Sequence, residues 1–203
     1  MARVDDYVEA RRIAVETLAD RPLEGLAEHA GYAVDGDSMI IPFLTRNYRL
    51  SHPAFELSDA DDPAAEVPIQ EQVLIFHYLQ GASLNAPDGR MIAYREIPGA
   101  AFYYSAFVKR AIDPLKAVFG ASPETMATGA AALAGVPVEM GDVGYEFTPF
   151  PRVPVHLGVW GADEEFGAEA NVLFDSSVGR MLSPEDAAWL AGMVVYRLIA
   201  KSR

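Results

Sequence analysis

Hydrophobic positions change their spacing several times along the chain, and each change predicts an element. Val4, Tyr7, Val8, Ile13 and Leu18 recur among charges at a helical period, a weakly amphipathic helix over residues 4–19. Pro22 breaks it and opens a short second helix through Leu26 that stops near Gly31. Asp35-Gly36 between two apolar segments signals a hairpin, with Met39–Leu44 as the returning strand. Residues 52–66 read as an acidic surface loop. Pro68 then starts "PIQEQVLIFHYLQG", a helix apolar on nearly every side and therefore central to the fold. An "NAPDG" turn leads into a strand, "RMIAYREI", and an aromatic-rich helix, "GAAFYYSAFVKRAI". Asp113-Pro114 kinks that helix or begins a new one ending near Gly120.

Two further helix starts carry the same chemistry. Ser122-Pro123-Glu124 and Ser183-Pro184-Glu185 each offer a capping hydroxyl, a proline at the first helical position and an acid in the positive-dipole turn. The first serves an alanine-rich helix ending at Gly135. The second serves the C-terminal helix, whose core face is Leu190, Ala191, Val194, Val195 and Leu198. Between them lie strands at Val136–Glu139, Tyr145–Phe147, Val153–Trp160 and Asn171–Phe174. This order predicts an α+β fold with an antiparallel or mixed sheet packed against several helices. At 203 residues the chain fits a single domain, with residues 1–30 as an N-terminal helical arm.

Charge and composition narrow the partners. Sixteen basic against twenty-nine acidic residues give a formal charge of −13. Such a surface repels nucleic acid and anionic lipid, while a cationic ligand or a basic partner protein is allowed. The absence of cysteine removes disulfides, zinc–thiolate and iron–sulfur ligation and a cysteine nucleophile. No stretch approaches the roughly 20 apolar residues needed to span a bilayer, and the first residues lack a signal-peptide pattern, so a cytoplasmic protein is expected.

The strand "RVPVHLGVW" holds the most informative local pattern. Val153, Val155, Leu157 and Val159 point one way; Pro154, His156, Gly158 and Trp160 point the other. The second face is either packed, with a hydrogen-bonded histidine, or notched at Gly158 to admit a flat ligand. Asp163, Glu164 and Glu165 follow this strand and Asp175 closes the next. An antiparallel pairing would put Asp175 at the far end from Asp163, where it accepts amides in an Asx-type turn or faces a ligand. His77, on the central helix, is either a satisfied core residue or an axial ligand, since neutral imidazole suits iron and cobalt. Arg95 stands at a strand end before a helix, where it meets an anionic group or pairs with Glu96. No phosphate-binding glycine loop and no nucleophile elbow is present.

The segments "EVPIQEQVLIFHYL", "YREIPGAAFYYSAF", "FPRVPV", "DEEF" and "LFDSS", with the acidic pair ending at Asp186, resemble the domain-of-unknown-function family numbered 3786. The likeness runs from about Val67 to Leu198. The family is found mostly in anaerobic bacteria and archaea, with some members similar to fusions with a four-cysteine iron–sulfur domain. The resemblance implies a link to anaerobic redox or corrinoid chemistry, and an iron–sulfur or corrinoid protein as partner. With no cysteine here, any cluster would belong to that partner.

Three classes of function stay open. One is a module for a flat cofactor, haem or a corrinoid, or for another small ligand. Phe76, His77, Tyr103, Tyr104, His156 and Trp160 would line its pocket, with Arg95 on a propionate or other anion. Another is an enzyme using His156, Asp163, Glu165 and Asp175 as acid–base groups or ligands of a divalent metal. The third is a scaffold docking a basic partner on its acidic face.

Overall fold

A computed structural model describes residues 4–203. The chain is α+β, with two antiparallel sheets, and forms two compact units. Among the described residues no helix is long and apolar enough to cross a membrane.

The first unit runs to Ala86 and includes Phe150–Arg152 and Arg180–Leu182. Its helices are α1 (Val4–Leu18), α2 (Leu23–Ala30) and α3 (Ile69–Gly81). Its sheet is the meander β1 (Ala33–Asp35), β2 (Ser38–Phe43), β3 (Arg46–Ser51) and β4 (Leu57–Asp59). The Asp35-Gly36 hairpin forms as expected, with Gly36 at φ 63°. β4 was not legible, because Leu57-Ser58-Asp59 has no alternating pattern; it pairs with Tyr48–Leu50 inside the expected loop. Residues 4–30, expected as an arm, supply Ala14, Leu18, Leu26 and Ala30 to this unit's core. α3 is buried nearly all round through Val73, Leu74, Ile75, Phe76, Tyr78 and Leu79. Tyr78 stacks on Phe150 at 4.3 Å and donates its hydroxyl to the Ala30 carbonyl.

The second unit carries the sheet β5 (Met91–Ala93), β9 (Glu169–Asp175), β8 (Val153–Trp160), β7 (Val143–Phe150) and β6 (Val136–Pro137), in that spatial order. Val153, Val155, Leu157 and Val159 are wholly buried, as their alternation requires. The C-terminal helix, α8 (Pro184–Lys201), buries the expected face. Its start is a reciprocal capping box. Ser183 Oγ accepts from the Asp186 amide at 3.1 Å, and Asp186 accepts from the Ser183 amide at 3.2 Å. Ser183→Ala is expected to lower the unfolding free energy by about 1 kcal/mol, read from the denaturation midpoint.

The matching Ser122-Pro123-Glu124 signal does not cap a helix. It forms a 3-10 turn without a side-chain cap, and α6 (Met126–Ala132) follows. The predicted strand over 90–97 shortens to β5, because residues 94–96 coil into a 3-10 turn in which Glu96 accepts the Ala93 amide at 2.7 Å. The aromatic helix becomes three pieces: α4 (Tyr104–Phe107), a π-turn over Val108–Ile112, and α5 (Asp113–Phe119). Asp113-Pro114 begins α5, one of the two outcomes expected for it, with Pro114 in the first turn and Gly120 as the C-cap. The proline ring cannot tolerate the carbonyl four residues back, and the wider π-turn accommodates it. α7 (Val178–Met181) links β9 towards α8.

Candidate functional site

β5 is shorter than its neighbour. It pairs with Leu173, Phe174 and Asp175, so among the described residues no strand lies beside 169–172 of β9 on that side. Such an edge exposes unpaired amides. Asn171 covers one of them, its Oδ1 accepting the Val172 amide at 2.9 Å. Immediately after β5 the chain coils, and the π-turn lies across the same gap. The result is a hollow of about 320 Å³ walled by Tyr94, Arg95, Tyr104, Phe107, Ile112 and Asn171. Its size falls at the small end of ligand pockets.

The chemistry of this hollow is mostly aromatic with one cation. Tyr94 stacks on Phe107 at 4.1 Å and donates to the Pro184 carbonyl at 2.7 Å. Burial, before any charge effect, pushes its phenol up to about 12, so it remains a neutral donor. The Arg95 guanidinium lies 3.7 Å from the Tyr104 ring centroid. Its neighbour Glu96 is turned to the Ala93 amide instead. Arg95 is exposed, and none of the residues walling the hollow is acidic. Phe107 and Ile112 bracket the π-turn, and such bulges recur at functional sites.

The remaining expected residues divide sharply. His156 Nε2 is 2.8 Å from Glu146 Oε2, with 17% and 35% of the side chains exposed. Of the two readings of this face of β8 the packed one holds: a Cβ on Gly158 would lie 2.5 Å from Met140 Cγ, which leaves no notch for a flat ligand. Met140 comes from a segment that runs beside β8, where Gly141 bridges Val159. Tyr103 meets Phe102 edge-on at 5.0 Å, and the nearby charge of Glu185 raises its phenol. His77 and Phe76 belong to the first unit, on α3, Phe76 wholly buried beneath Arg11. The two histidines therefore sit in different units.

The three carboxylates suggested for a metal do not meet. Trp160 pairs with Glu169 and Val155 with Phe174, so Asp163 and Asp175 occupy opposite ends of the β8–β9 ladder, about 20 Å apart at strand rise. Asp163 Oδ1 accepts the Glu165 and Phe166 amides at 2.8 and 2.6 Å. Glu165 is exposed in that turn. Asp175 is 1% exposed and forms the expected turn, accepting the Ser177 amide at 2.9 Å. It also takes the amides of Asp88 and Gly89 at 2.9 and 2.7 Å. Burial opposes its ionisation, but hydrogen bonds from Ser177, Asp88 and Gly89 outweigh that and hold it below the usual carboxylate range. Among the described residues no group of three His, Asp or Glu side chains is arranged to hold a metal.

Of the residues singled out from the sequence, Arg95 and Tyr104 wall the hollow beside β9 and Trp160 does not; Phe107, Ile112 and Asn171, which also wall it, and Glu146, which faces His156, were not singled out. Asn171 carried a signal, a polar residue in an apolar strand. The others depend on the π-turn and on β7–β8 register, which leave no local mark.

The molecule is thus an α+β protein whose shortened sheet edge bears an aromatic hollow with one cation, Arg95, among its walls. The chain belongs to the domain-of-unknown-function family DUF3786, whose model matches residues 22–197 and so takes in α2 and the first sheet as well as most of the second unit. No curated protein and no solved structure matches it.

Proposed function

We propose that this chain is a cofactor- or small-ligand-binding protein, and that the hollow beside β9 receives an anionic, unsaturated part of its ligand. One observation carries the reading: the Arg95 guanidinium lies over the Tyr104 ring, 3.7 Å from its centroid, in the wall of an aromatic hollow without an acid among its walls. A stacked guanidinium keeps its N–H fork free for a carboxylate or phosphate. A propionate of a tetrapyrrole or an anionic arm of a corrinoid fits that chemistry. The link to anaerobic redox metabolism, a cytoplasmic setting and an iron–sulfur or corrinoid partner belong to the same proposal.

Titrating haem and cobalamin, followed by visible absorbance, and benzoate, followed by NMR, tests it. Arg95→Ala should weaken whichever probe binds by about tenfold or more, a charged hydrogen bond being worth about 1.5–3 kcal/mol. Arg95→Lys should recover little, because an ammonium does not reproduce the stacked fork. Equal binding by wild type and Arg95→Ala, or no binding of any probe, overturns the reading.

The acid–base enzyme is favoured by a different observation, the part-buried His156–Glu146 pair, an imidazole held by a carboxylate. Hydrolysis of chromogenic esters that is lost in both His156→Gln and Glu146→Gln, yet kept in Arg95→Ala, would support it over the binding role.

A further inference from the structure

A second hollow, of about 410 Å³, opens where β8 gives way to residues 161–167. Two aromatic rings stand on it in water. Trp160 is 40% exposed and Phe166 is 69% exposed. A ligand covering them would gain about 25 cal/mol for every Å² of apolar surface it removes from water. The main chain of both is held in position. Trp160 is the last residue of β8, opposite Glu169 in the ladder. Phe166 ends a turn closed from both sides, its amide donating to Asp163 Oδ1 at 2.6 Å and its carbonyl accepting the Asp163 amide at 2.9 Å.

Carboxylates complete the wall. Asp142 accepts the Gly161 amide at 2.7 Å, which fixes it at the strand end. Asp163 is held below the usual carboxylate range by the Phe166 amide first and the Glu165 amide second, so it is ionised at neutral pH. Glu169 is exposed beside Trp160. None of the residues walling the hollow is basic. Concentrated negative charge together with two ring faces is the recognition chemistry of an organic cation, which gains from both. A bare divalent ion would make no use of the rings and would require convergent oxygens, of which the described residues form no such group. A neutral apolar ligand would desolvate the acids without return.

We propose that this hollow binds a small tertiary or quaternary ammonium ion, its methyl groups against Trp160 and Phe166 and its charge facing Asp163 and Glu169. The site goes beyond the Arg95 reading, since it takes the opposite charge. Asn171 nevertheless lines both hollows. The chain's formal charge of −13 favours the approach of such a ligand.

Choline and its neutral isostere, with carbon in place of the ammonium nitrogen, are the probes. Each is titrated into the full chain while the indole N–H resonance of Trp160, assigned with Trp160→Phe, is followed by NMR. Choline is expected to produce a saturable shift and to bind at least fivefold tighter than the isostere. Phe166→Ala and Glu169→Gln, both at exposed positions, should each weaken choline about fivefold, equivalent to about 1 kcal/mol. The proposal is overturned if the isostere binds as tightly as choline. It also falls if the choline shift stays linear with concentration, or survives unchanged in the double variant Phe166→Ala/Glu169→Gln. Failure here leaves the anion titrations with Arg95 untouched, because neither probe carries a negative charge.

Discussion

Asp175→Ala should lower the unfolding free energy by about 2–4 kcal/mol, measured by urea denaturation at neutral pH. The side chain is almost fully buried and its two oxygens take three backbone amides. Hydrogen bonds to a charged acceptor are worth about 1.5–3 kcal/mol each, and removing the acceptor also strands the donors. The amides of Asp88 and Gly89 come from the turn that launches β5, so Asp175 ties the start of that strand to the end of β9. Asp175→Asn should cost nearly as much. Its amide group would face one of the three donors with another donor.

The same residue sets a pH dependence. Its folded-state value is depressed, so the stabilisation is fully present above the unfolded carboxylate value of about 3.9. It fades as pH falls through the lower folded value. Wild type and Asp175→Asn should therefore converge in stability at strongly acid pH and separate above it. A constant gap across that range would assign the effect to packing instead. Because β5 leads directly into Arg95, the variant should also loosen any ligand held there, giving a loss of affinity with Arg95 itself intact.

What could be read beforehand follows how local each determinant is. β8 was legible from Val153 to Trp160 because a strand with one wholly buried face must alternate, and alternation is written in the residues themselves. The Ser183 cap was legible because both partners lie within one turn. Ser122, with the same neighbours, failed because the chain there closes a 3-10 turn, the Thr125 amide and hydroxyl both donating to the Ser122 carbonyl, and the hydroxyl of Ser122 makes no cap. The Asp175 turn to Ser177 could be foreseen; its bonds to Asp88 and Gly89, more than eighty residues away, could not. Gly158 illustrates the limit most clearly. A missing side chain announces space, but whether Met140 fills it is decided by a segment with no signature of its own. Arg95 and Tyr104 were both singled out, yet their stacking depends on a strand ending early and on a π-turn, features set by hydrogen-bond register rather than by hydrophobic period.

Gly81→Ala should destabilise the protein by about 3 kcal/mol or more, although intrinsic propensity predicts the opposite sign. Gly81 is the last residue of α3, and alanine is favoured over glycine in a helix by about 1 kcal/mol. The space decides against it. A Cβ on Gly81 would lie 2.1 Å from the Met181 carbonyl oxygen and 2.7 Å from its carbonyl carbon and Cα. These are backbone atoms, so no rotamer change relieves the overlap, and α3 or the Met181 segment must move. Overpacking typically costs 1–3 kcal/mol, with backbone collisions at or above the upper end. Gly25→Ala supplies the control. It lies inside α2, and its Cβ would meet only Pro22 Cγ, at an ordinary 3.5 Å. That substitution should raise stability by about 0.5–1 kcal/mol through helix propensity and the reduced freedom of the unfolded chain. Opposite signs for one chemical change at two helical glycines, read from denaturation midpoints, would establish that close approach of the backbone at Met181, rather than flexibility, is what requires glycine at position 81.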